Sequence, residues 1–246
     1  MSIGLVIHIP HASTIIPKEY LQGICLSEKE LHDEIIWSTD SYCDELFYSD
    51  FGIPVIAPYS RLACDVERFR DDKKEEGAKN GNGAFYTHTQ RGQKFRLYNA
   101  ALRDKALREI YDLHHKKLTD AVYKVLEEND FCLIIDGHSF NDDPFIGDDL
   151  PDFCIGADEY HTPTELVKDV LTFLTDEGYH VGVNYPYSGS MVPMKYYKTD
   201  ECVLSVMIEV NKRLYLNKGT FDKSDGFDRR RQLCLQVVDS IRCFKY

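Results

Sequence analysis

The chain has 246 residues, of which 43% are apolar, and its 29 basic and 41 acidic side chains give a net charge of −12. This composition indicates a soluble globular protein, and the acidic balance argues against a nucleic-acid partner. The chain contains no apolar run of about 18 residues and no basic segment before its first apolar run, so we expect neither a membrane span nor a secretory signal.

The first predicted elements alternate between apolar runs and amphipathic segments. Residues 3–9 (IGLVIHI) are predicted to form a buried strand. Ser27, followed three residues later by Glu30, is a capping box and predicts a helix that runs to about Tyr48. A second strand is predicted over residues 53–58, between a glycine and a proline.

The segment after the second strand carries the chain's local positive charge. Residues 60–95 are rich in glycine and show no clean period, and a loop of this length in a compact domain is more often functional than not. Residues 61–118 hold 14 basic against 9 acidic side chains. This favours a small anionic ligand, with solvated helix faces as the ordinary alternative.

The second half of the chain continues the alternation. One or two helices are predicted over residues 97–129, a buried strand over 131–136, and an Asp-rich loop of solvated surface over 141–152. A helix is predicted over residues 162–177 and an extended segment over 180–184. A buried strand follows over residues 202–210, and a final helix over 223–243. The pattern predicts one α/β domain over residues 1–246, with three layers and a mixed, mainly parallel sheet flanked by helices.

The eight cysteines form no Cys-x-x-Cys pair and lie mostly in apolar runs. Such cysteines are typical of small core residues in a reducing cytoplasm, which is where we place the protein. A cysteine zinc site is not expected.

Polar side chains occur where three predicted strands end. His11 follows the first strand, Asp136, His138 and Ser139 follow the strand at 131–136, and Glu209 closes the strand at 202–210. Ligands of open α/β sheets bind beyond the carboxyl ends of the strands. Two histidines and a carboxylate at matching strand ends therefore favour a metal or acid/base site.

Several of these residues have ordinary alternatives. Glu209 is flanked by apolar residues, so a charge there needs a partner or a function. It either forms a salt bridge to a basic residue such as Arg213 or acts as a general base. His8 and His11 are separated by Pro10 and an odd spacing, so only one of them is expected to be a metal ligand. His114 is expected on a helix surface.

Residues 59–68 bring Arg61, Asp65, Glu67 and Arg68 to the end of the second strand. Arginine binds carboxylates with two parallel hydrogen bonds, so this segment fits an acidic substrate. A structural network in which Asp65 orients one of the arginines is equally open, and both roles can hold together. Dinucleotide-binding, P-loop and serine-elbow motifs are absent from the sequence.

The ordered set of motifs resembles the N-formylglutamate amidohydrolase family over about residues 5–216. The motifs are Ile9-Pro-His11-Ala-Ser, Thr39-Asp40, Tyr59-Ser-Arg61-Leu-Ala-Cys-Asp65-Val-Glu-Arg68, Ile135-Asp-Gly-His138-Ser and Ile208-Glu209-Val. Residues 152–156 and 184–189 also lie where that family has comparable segments. The resemblance implies a phosphorylase/hydrolase-like fold related to the zinc exopeptidases.

The resemblance also implies a cofactor, one zinc ion per chain. His11, Asp40 and His138 would bind it, and Glu209 would be the catalytic carboxylate. From the residues alone, Glu67 or Asp136 could equally be the third ligand. Asp40 is preferred because the family has Asp at that position, whereas position 67 usually holds Asn.

Three residues match the family's Ser-Arg…Asp-x-x-Arg pattern: Arg61, Asp65 and Arg68. The resemblance implies that they form or brace the site that binds the substrate carboxylate. Ser139 and Asn184 are further candidates for substrate binding. His115 matches a histidine of the long helix and has no assigned role.

The implied activity is hydrolysis of the amide bond of a small N-acylated acidic amino acid, of the N-formylglutamate type, to give formate and glutamate. Zinc would activate water, Glu209 would act as general base, and Asp136 would orient a ligand histidine. Residues 77–95 and 184–193 diverge from the family pattern. A zinc amidase or carboxypeptidase-like enzyme acting on another acyl-amino acid or peptide amide, and a non-catalytic binding protein, are the alternatives.

Overall fold

The computed structural model of the chain describes residues 2–245. The contacts of these residues divide them into two compact units. We call the first the strand unit, which comprises residues 2–9, 42–56 and 118–245, and the second the loop unit, which comprises residues 10–41 and 57–117.

The strand unit contains one sheet. Its six strands in the described chain are β1 (Ile3–Ile9), β2 (Gly52–Ile56), β3 (Phe131–Phe140), β4 (Phe153–Gly156), β5 (Val181–Val183) and β6 (Val203–Asn211). They are ordered β2-β1-β3-β6-β4-β5 across the sheet. Strands β2, β1, β3 and β6 are mutually parallel, whereas β4 is antiparallel to β6 and parallel to β5. The predicted α/β fold with a mixed, mainly parallel sheet is confirmed.

Helices make up most of the remaining regular structure. The α-helices among residues 2–245 are α1 (Glu28–Ser38), α2 (Cys43–Leu46), α3 (Ala100–Ala106), α4 (Asp112–Glu128), α5 (Thr164–Asp176) and α6 (Phe227–Arg242). A π-helical turn, Leu107–Tyr111, joins α3 to α4, and short 3₁₀ turns occur at Lys18–Leu21, Glu76–Asn80 and Lys212–Leu214. None of these helices has the length and apolarity needed to cross a membrane.

The sheet of the strand unit lies between two helical layers. Because successive side chains of a strand point to opposite faces, Val6 and Ile134 share one face, and the Val122 and Val125 side chains of α4 cover it. On the other face, α6 contacts both β1 and α2. Gly137 is required there, since a Cβ atom at this position would lie 2.7 Å from the Phe47 ring.

The loop unit has an apolar core of its own. Ala63, Cys64 and Val66 are buried against side chains of α3 and the π-helical turn. Arg96 is fully buried, with its guanidinium 4.2 Å from the ring centroid of Phe85. The segment that carries Arg61, Asp65 and Arg68 is therefore packed against a core.

The structure corrects the predicted end of the first helix. The capping box of Ser27 and Glu30 is present, but α1 ends at Ser38 rather than near Tyr48. Thr39 is extended, and Tyr42 adopts a left-handed conformation with φ of 63° before α2 begins. This break gives Asp40 a backbone hydrogen bond to the carbonyl of His11.

Other elements differ in smaller ways. Strand β4 was not predicted, and β3 continues past Asp136 to Phe140. His114 is buried, not on a helix surface as expected. Two aspartates of the loop predicted as solvated surface, Asp142 and Asp152, form salt bridges with Arg213.

Candidate functional site

Four ionisable side chains share one face of the sheet in the strand unit. In the parallel register His8 pairs with Asp136, and His138 pairs with Glu209. Since residues two apart in a strand point to the same side, Asp136 and His138 lie on the same face of β3. The sheet therefore brings His8, Asp136, His138 and Glu209 together at the carboxyl ends of β1, β3 and β6.

Asp136 connects the two histidines. Its Oδ1 accepts hydrogen bonds from His8 Nδ1 at 2.7 Å and His138 Nε2 at 3.1 Å, and its Oδ2 accepts one from the backbone N–H of Met191 at 2.9 Å. Burial by itself would raise the pKa of Asp136, but the neighbouring His138 and His8 hold this pKa well below its usual range. Asp136 is an ionised acceptor whose main effect is to orient both rings.

Glu209 is buried in β6, between His138 of β3 and Cys154 of β4. Burial, with the charge of Glu209 as a smaller cause, raises the pKa of the Cys154 thiol to about 11. Arg213, the alternative partner considered for Glu209, donates instead to Asp142 at 2.7 Å and Asp152 at 2.9 Å.

The strand unit also contains two further predicted substrate residues, Ser139 and Asn184. Ser139 is buried on the opposite face of β3 from His138, because it is adjacent to it in the strand. Asn184 follows β5 with φ of 54°, and its side-chain oxygen accepts a hydrogen bond from the backbone N–H of Ala157 at 2.8 Å. The position of Asn184 supports a turn-forming role for its side chain.

In the loop unit, the fully buried Asp65 is the centre of a charged network. Its Oδ2 accepts from Arg61 Nε at 3.0 Å, Arg61 Nη2 at 2.8 Å and the Tyr86 hydroxyl at 2.7 Å. Its Oδ1 accepts from His11 Nε2 at 2.8 Å and from the backbone N–H of Glu67 at 3.1 Å. Five hydrogen bonds use the acceptor capacity of this carboxylate, so Asp65 holds the Arg61, Tyr86 and His11 side chains in place.

The electrostatics of the network follow from these contacts. Burial would raise the pKa of Asp65, but Arg61, His11 and Arg68 hold it well below its usual range. Burial would lower the pKa of Arg61, and the adjacent Asp65 raises it well above its usual range. Both side chains are therefore charged, and each is the other's principal counter-ion.

His11 presents its second ring nitrogen to two carboxylates. Nε2 donates to Asp65, and Nδ1 lies 3.6 Å from both Asp40 Oδ2 and Glu67 Oε2. Burial and Arg61 would lower the pKa of His11, but Asp65 and Asp40 outweigh them and raise it. Asp40 and Glu67 are thus at equal distance from Nδ1 of His11.

The two arginines differ in what they offer a ligand. The side chain of Arg61 is 13% exposed and makes two bonds to Asp65, whereas that of Arg68 is 32% exposed. Arg68 Nε lies 3.6 Å from Asp65, and its Nη1 lies 3.9 Å from Glu75. Arg68 is the more accessible cation of the network.

A model of the N-formylglutamate amidohydrolase family matches residues 3–216. The chain belongs to the N-formylglutamate amidohydrolase family. This result supports a hydrolase of this kind and confirms the family identified from the sequence motifs.

Solved structures of other proteins are similar to the chain, including the following two. The N-formylglutamate amidohydrolase from Ralstonia eutropha has a TM-score of 0.81 at 21% sequence identity, and the match covers 98% of this chain and 95% of that one. A gene product of Agrobacterium tumefaciens has a TM-score of 0.67 at 18% identity, covering 98% of this chain and 91% of the other. At these identities the likeness establishes the fold. No curated protein matches the chain.

Side chains that could hold a metal ion occur in both units of this member of the N-formylglutamate amidohydrolase family. His8, Asp136 and His138 belong to the strand unit, and His11 and Glu67 to the loop unit. Of the predicted ligand set, His11 and Asp40 are in the loop unit and His138 is in the strand unit. The set of three stays a prediction.

Two participants in these networks were missed from the sequence. The sequence indicates His8 only as an alternative metal ligand to His11, although its even spacing from Val6 places it on the face that carries Asp136. Tyr86 lies 21 positions from Asp65 in chain without regular structure, and no sequence signal connects them.

Proposed function

We propose that the chain hydrolyses the amide bond of an N-acylated acidic amino acid, N-formylglutamate or a close analogue, to give formate or another acid and the free amino acid. Family membership supports amide hydrolysis. The observation that carries the proposal is a buried histidine–aspartate pair in each unit, His11 with Asp65 and His138 with Asp136. A histidine whose second ring nitrogen is held by a carboxylate is the usual form of a metal-ligating histidine.

The donor set fits zinc. Imidazole nitrogen and carboxylate oxygen are ligands that Zn²⁺ takes in catalytic sites, which have three protein ligands and one open position. We propose His11, Asp40 and His138 as these ligands. The alternative to be tested is a ligand set in which Glu67 takes the place of Asp40. When bound, zinc would supply a Lewis acid for the amide carbonyl and lower the pKa of water toward about 7.

The residues of the chain would divide the remaining work. Glu209 would accept a proton from the attacking water and return it to the nitrogen of the leaving amine, which keeps the proton count balanced. Asp136 would hold the ring of His138 in one orientation. Arg68 would bind the substrate carboxylate, and Asp65 would hold Arg61 in place through its two hydrogen bonds.

A substrate panel tests this proposal. We expect free amine release from N-formylglutamate, scored against N-acetyl and N-succinyl glutamate and against N-formylglutamine, which is similar in size but lacks the side-chain carboxylate. Turnover of a different acyl group alone would point to another amidase. No turnover of any member by the zinc-loaded protein would favour a binding protein.

Metal analysis tests the ligands separately. Protein purified without chelator is expected to hold about one zinc per chain, and His138→Ala should abolish this content, while His180→Ala serves as a matched control. Comparing Asp40→Asn with Glu67→Gln decides the third ligand, because only the true ligand should reduce zinc content strongly. Unchanged zinc in His138→Ala would reject the ligand set.

We also propose that residues 1–246 act as one catalytic domain in the cytoplasm, on a small anionic substrate. The family match over residues 3–216 supports the first point. Within residues 2–245, no cysteine is part of a disulfide, which supports the second.

A further inference from the structure

Four hydrogen bonds surround the dipeptide Glu67–Arg68 in the loop unit. The carbonyl of Val66 accepts from His115 Nε2 at 2.7 Å, and the carbonyl of Arg68 accepts from the Tyr111 hydroxyl at 2.8 Å. These two carbonyls belong to the peptide groups on either side of the dipeptide. A carbonyl oxygen only accepts, so the Nε2 of His115 carries a proton.

The opposite edges of the same two peptide groups are also held. The N–H of Glu67 donates to Asp65 Oδ1 at 3.1 Å, and the N–H of Phe69 donates to Glu75 Oε2 at 2.9 Å. Each peptide plane is therefore fixed at both its C=O and its N–H edge. Fixing both planes fixes the backbone from which the Glu67 and Arg68 side chains project.

The two side-chain donors, Tyr111 and His115, lie on one helical segment. Tyr111 ends the π-helical turn Leu107–Tyr111, and His115 follows four residues later, which places both on one helix face. Their rings are stacked, with centroids 4.1 Å apart and planes at 25°. Single π-helical turns within α-helices occur frequently at functional sites.

We propose that Tyr111 and His115 are positioning residues that hold Arg68 in the orientation that binds the side-chain carboxylate of the substrate. This inference rests on the proposed function and assigns a role to His115, which the sequence left without one. Both residues act through the backbone of residues 66–69 and do not touch the substrate themselves. Loss of either donor releases one peptide plane, so Arg68 samples more orientations and binds the carboxylate less well.

Conservative variants separate the effect of losing the hydrogen-bond donor from the effect of losing the aromatic ring. Tyr111→Phe keeps the ring and removes the hydroxyl, and Tyr98→Phe, at a side chain that is 62% exposed, is its matched control. His115→Phe keeps the stacking and removes the N–H, whereas His115→Gln retains an N–H donor at a similar reach. We expect Tyr111→Phe and His115→Phe to raise the KM for N-formylglutamate about tenfold, with kcat within about twofold of wild type. His115→Gln should restore most of the KM, and Tyr98→Phe should match wild type.

Two comparisons show whether the increase in KM depends on Arg68: one between substrates of different charge, and one with a double variant. For N-formylglutamine, which keeps the α-carboxylate but lacks the side-chain carboxylate that Arg68 would bind, kcat/KM should be unchanged in Tyr111→Phe. In an Arg68→Met background, adding Tyr111→Phe should have no further effect on KM for N-formylglutamate. Equal losses on both substrates, or full additivity with Arg68→Met, would show a general structural role and overturn the inference.

Amide hydrogen exchange provides a readout that does not need turnover. The N–H groups of Glu67 and Phe69 should exchange faster in Tyr111→Phe and His115→Phe than in wild type, with protection elsewhere in α4 retained. One outcome is that wild type turns over no member of the panel while these two amides lose protection in the variants. In that case the proposed function fails, but the clamp, by which Tyr111 and His115 hold the backbone of residues 66–69, is supported. Unchanged exchange at both amides would reject the clamp itself.

Discussion

Replacing Asp65 with Asn removes one charge from the most densely bonded side chain of the loop unit. Asp65 is fully buried and accepts hydrogen bonds from Nε and Nη2 of Arg61, at 3.0 and 2.8 Å. The variant keeps the size and one carbonyl oxygen of the side chain, so the Tyr86 hydroxyl retains a possible acceptor. Its main effect is to leave the guanidinium of Arg61, 13% exposed, without its principal counter-ion.

The magnitude follows from the burial of the pair. Removing one partner of a buried, hydrogen-bonded ion pair costs about 3–5 kcal/mol, because the remaining charge stays desolvated. For a chain of this length, about 2–4 °C of melting temperature is lost per kcal/mol, so Tm should fall by roughly 6–20 °C. An exposed pair would cost less than about 1 kcal/mol.

Urea unfolding monitored by circular dichroism gives the measurement, with chelator present in every sample so that lost metal binding does not contribute. The decisive control is the double variant Arg61→Met with Asp65→Asn, which removes both charges. Its free energy of unfolding should recover at least half of the loss, since replacing both partners of a buried pair is often neutral. A single variant within about 1 kcal/mol of wild type, or a double variant no better than the single one, would refute the counter-ion argument.

Three further changes test other parts of the structure. Glu209→Gln should retain metal and slow turnover by about 10² to 10⁴-fold, and a wild-type rate would remove Glu209 from the mechanism. His8→Ala removes one donor to Asp136 and should weaken zinc binding by about 10 to 100-fold in a chelator competition assay; unchanged affinity would show that His8 does not support the site. Ser27→Ala should cost about 1 kcal/mol in urea unfolding through loss of the N-cap of α1, and Lys29→Ala, on the exposed face of that helix, should cost much less.

The sequence was most informative where local chemistry decides the structure. Strand β1 begins and ends at the predicted residues because a mostly apolar run stops at Pro10, which interrupts sheet pairing. The start of α1 was likewise predicted from the reciprocal hydrogen bonds of Ser27 and Glu30. The polar strand ends at His138 and Glu209 were recognised because parallel strands place their carboxyl ends along one edge.

The remainder depends on long-range contacts that leave no local pattern. Apolar residues continue past Thr39, so periodicity conceals the end of α1, which is fixed by the Asp40 hydrogen bond to His11. Strand β4 has only four residues, too few to show alternation, and is defined by its antiparallel pairing with β6. The partnership of His8 with Asp136 requires the register of β1 against β3, and register cannot be read from one strand alone.

The two strands at the edges of the sheet bear on how the protein behaves at high concentration. An edge strand exposes unpaired backbone groups to which a strand of another molecule can add. Here β2 contains the exposed Pro54, which has no N–H to donate, and β5 is only three residues long. Both edges are poor templates for intermolecular strand addition, so substitutions that lengthen β5 or replace Pro54 with a β-branched residue would be expected to favour aggregation.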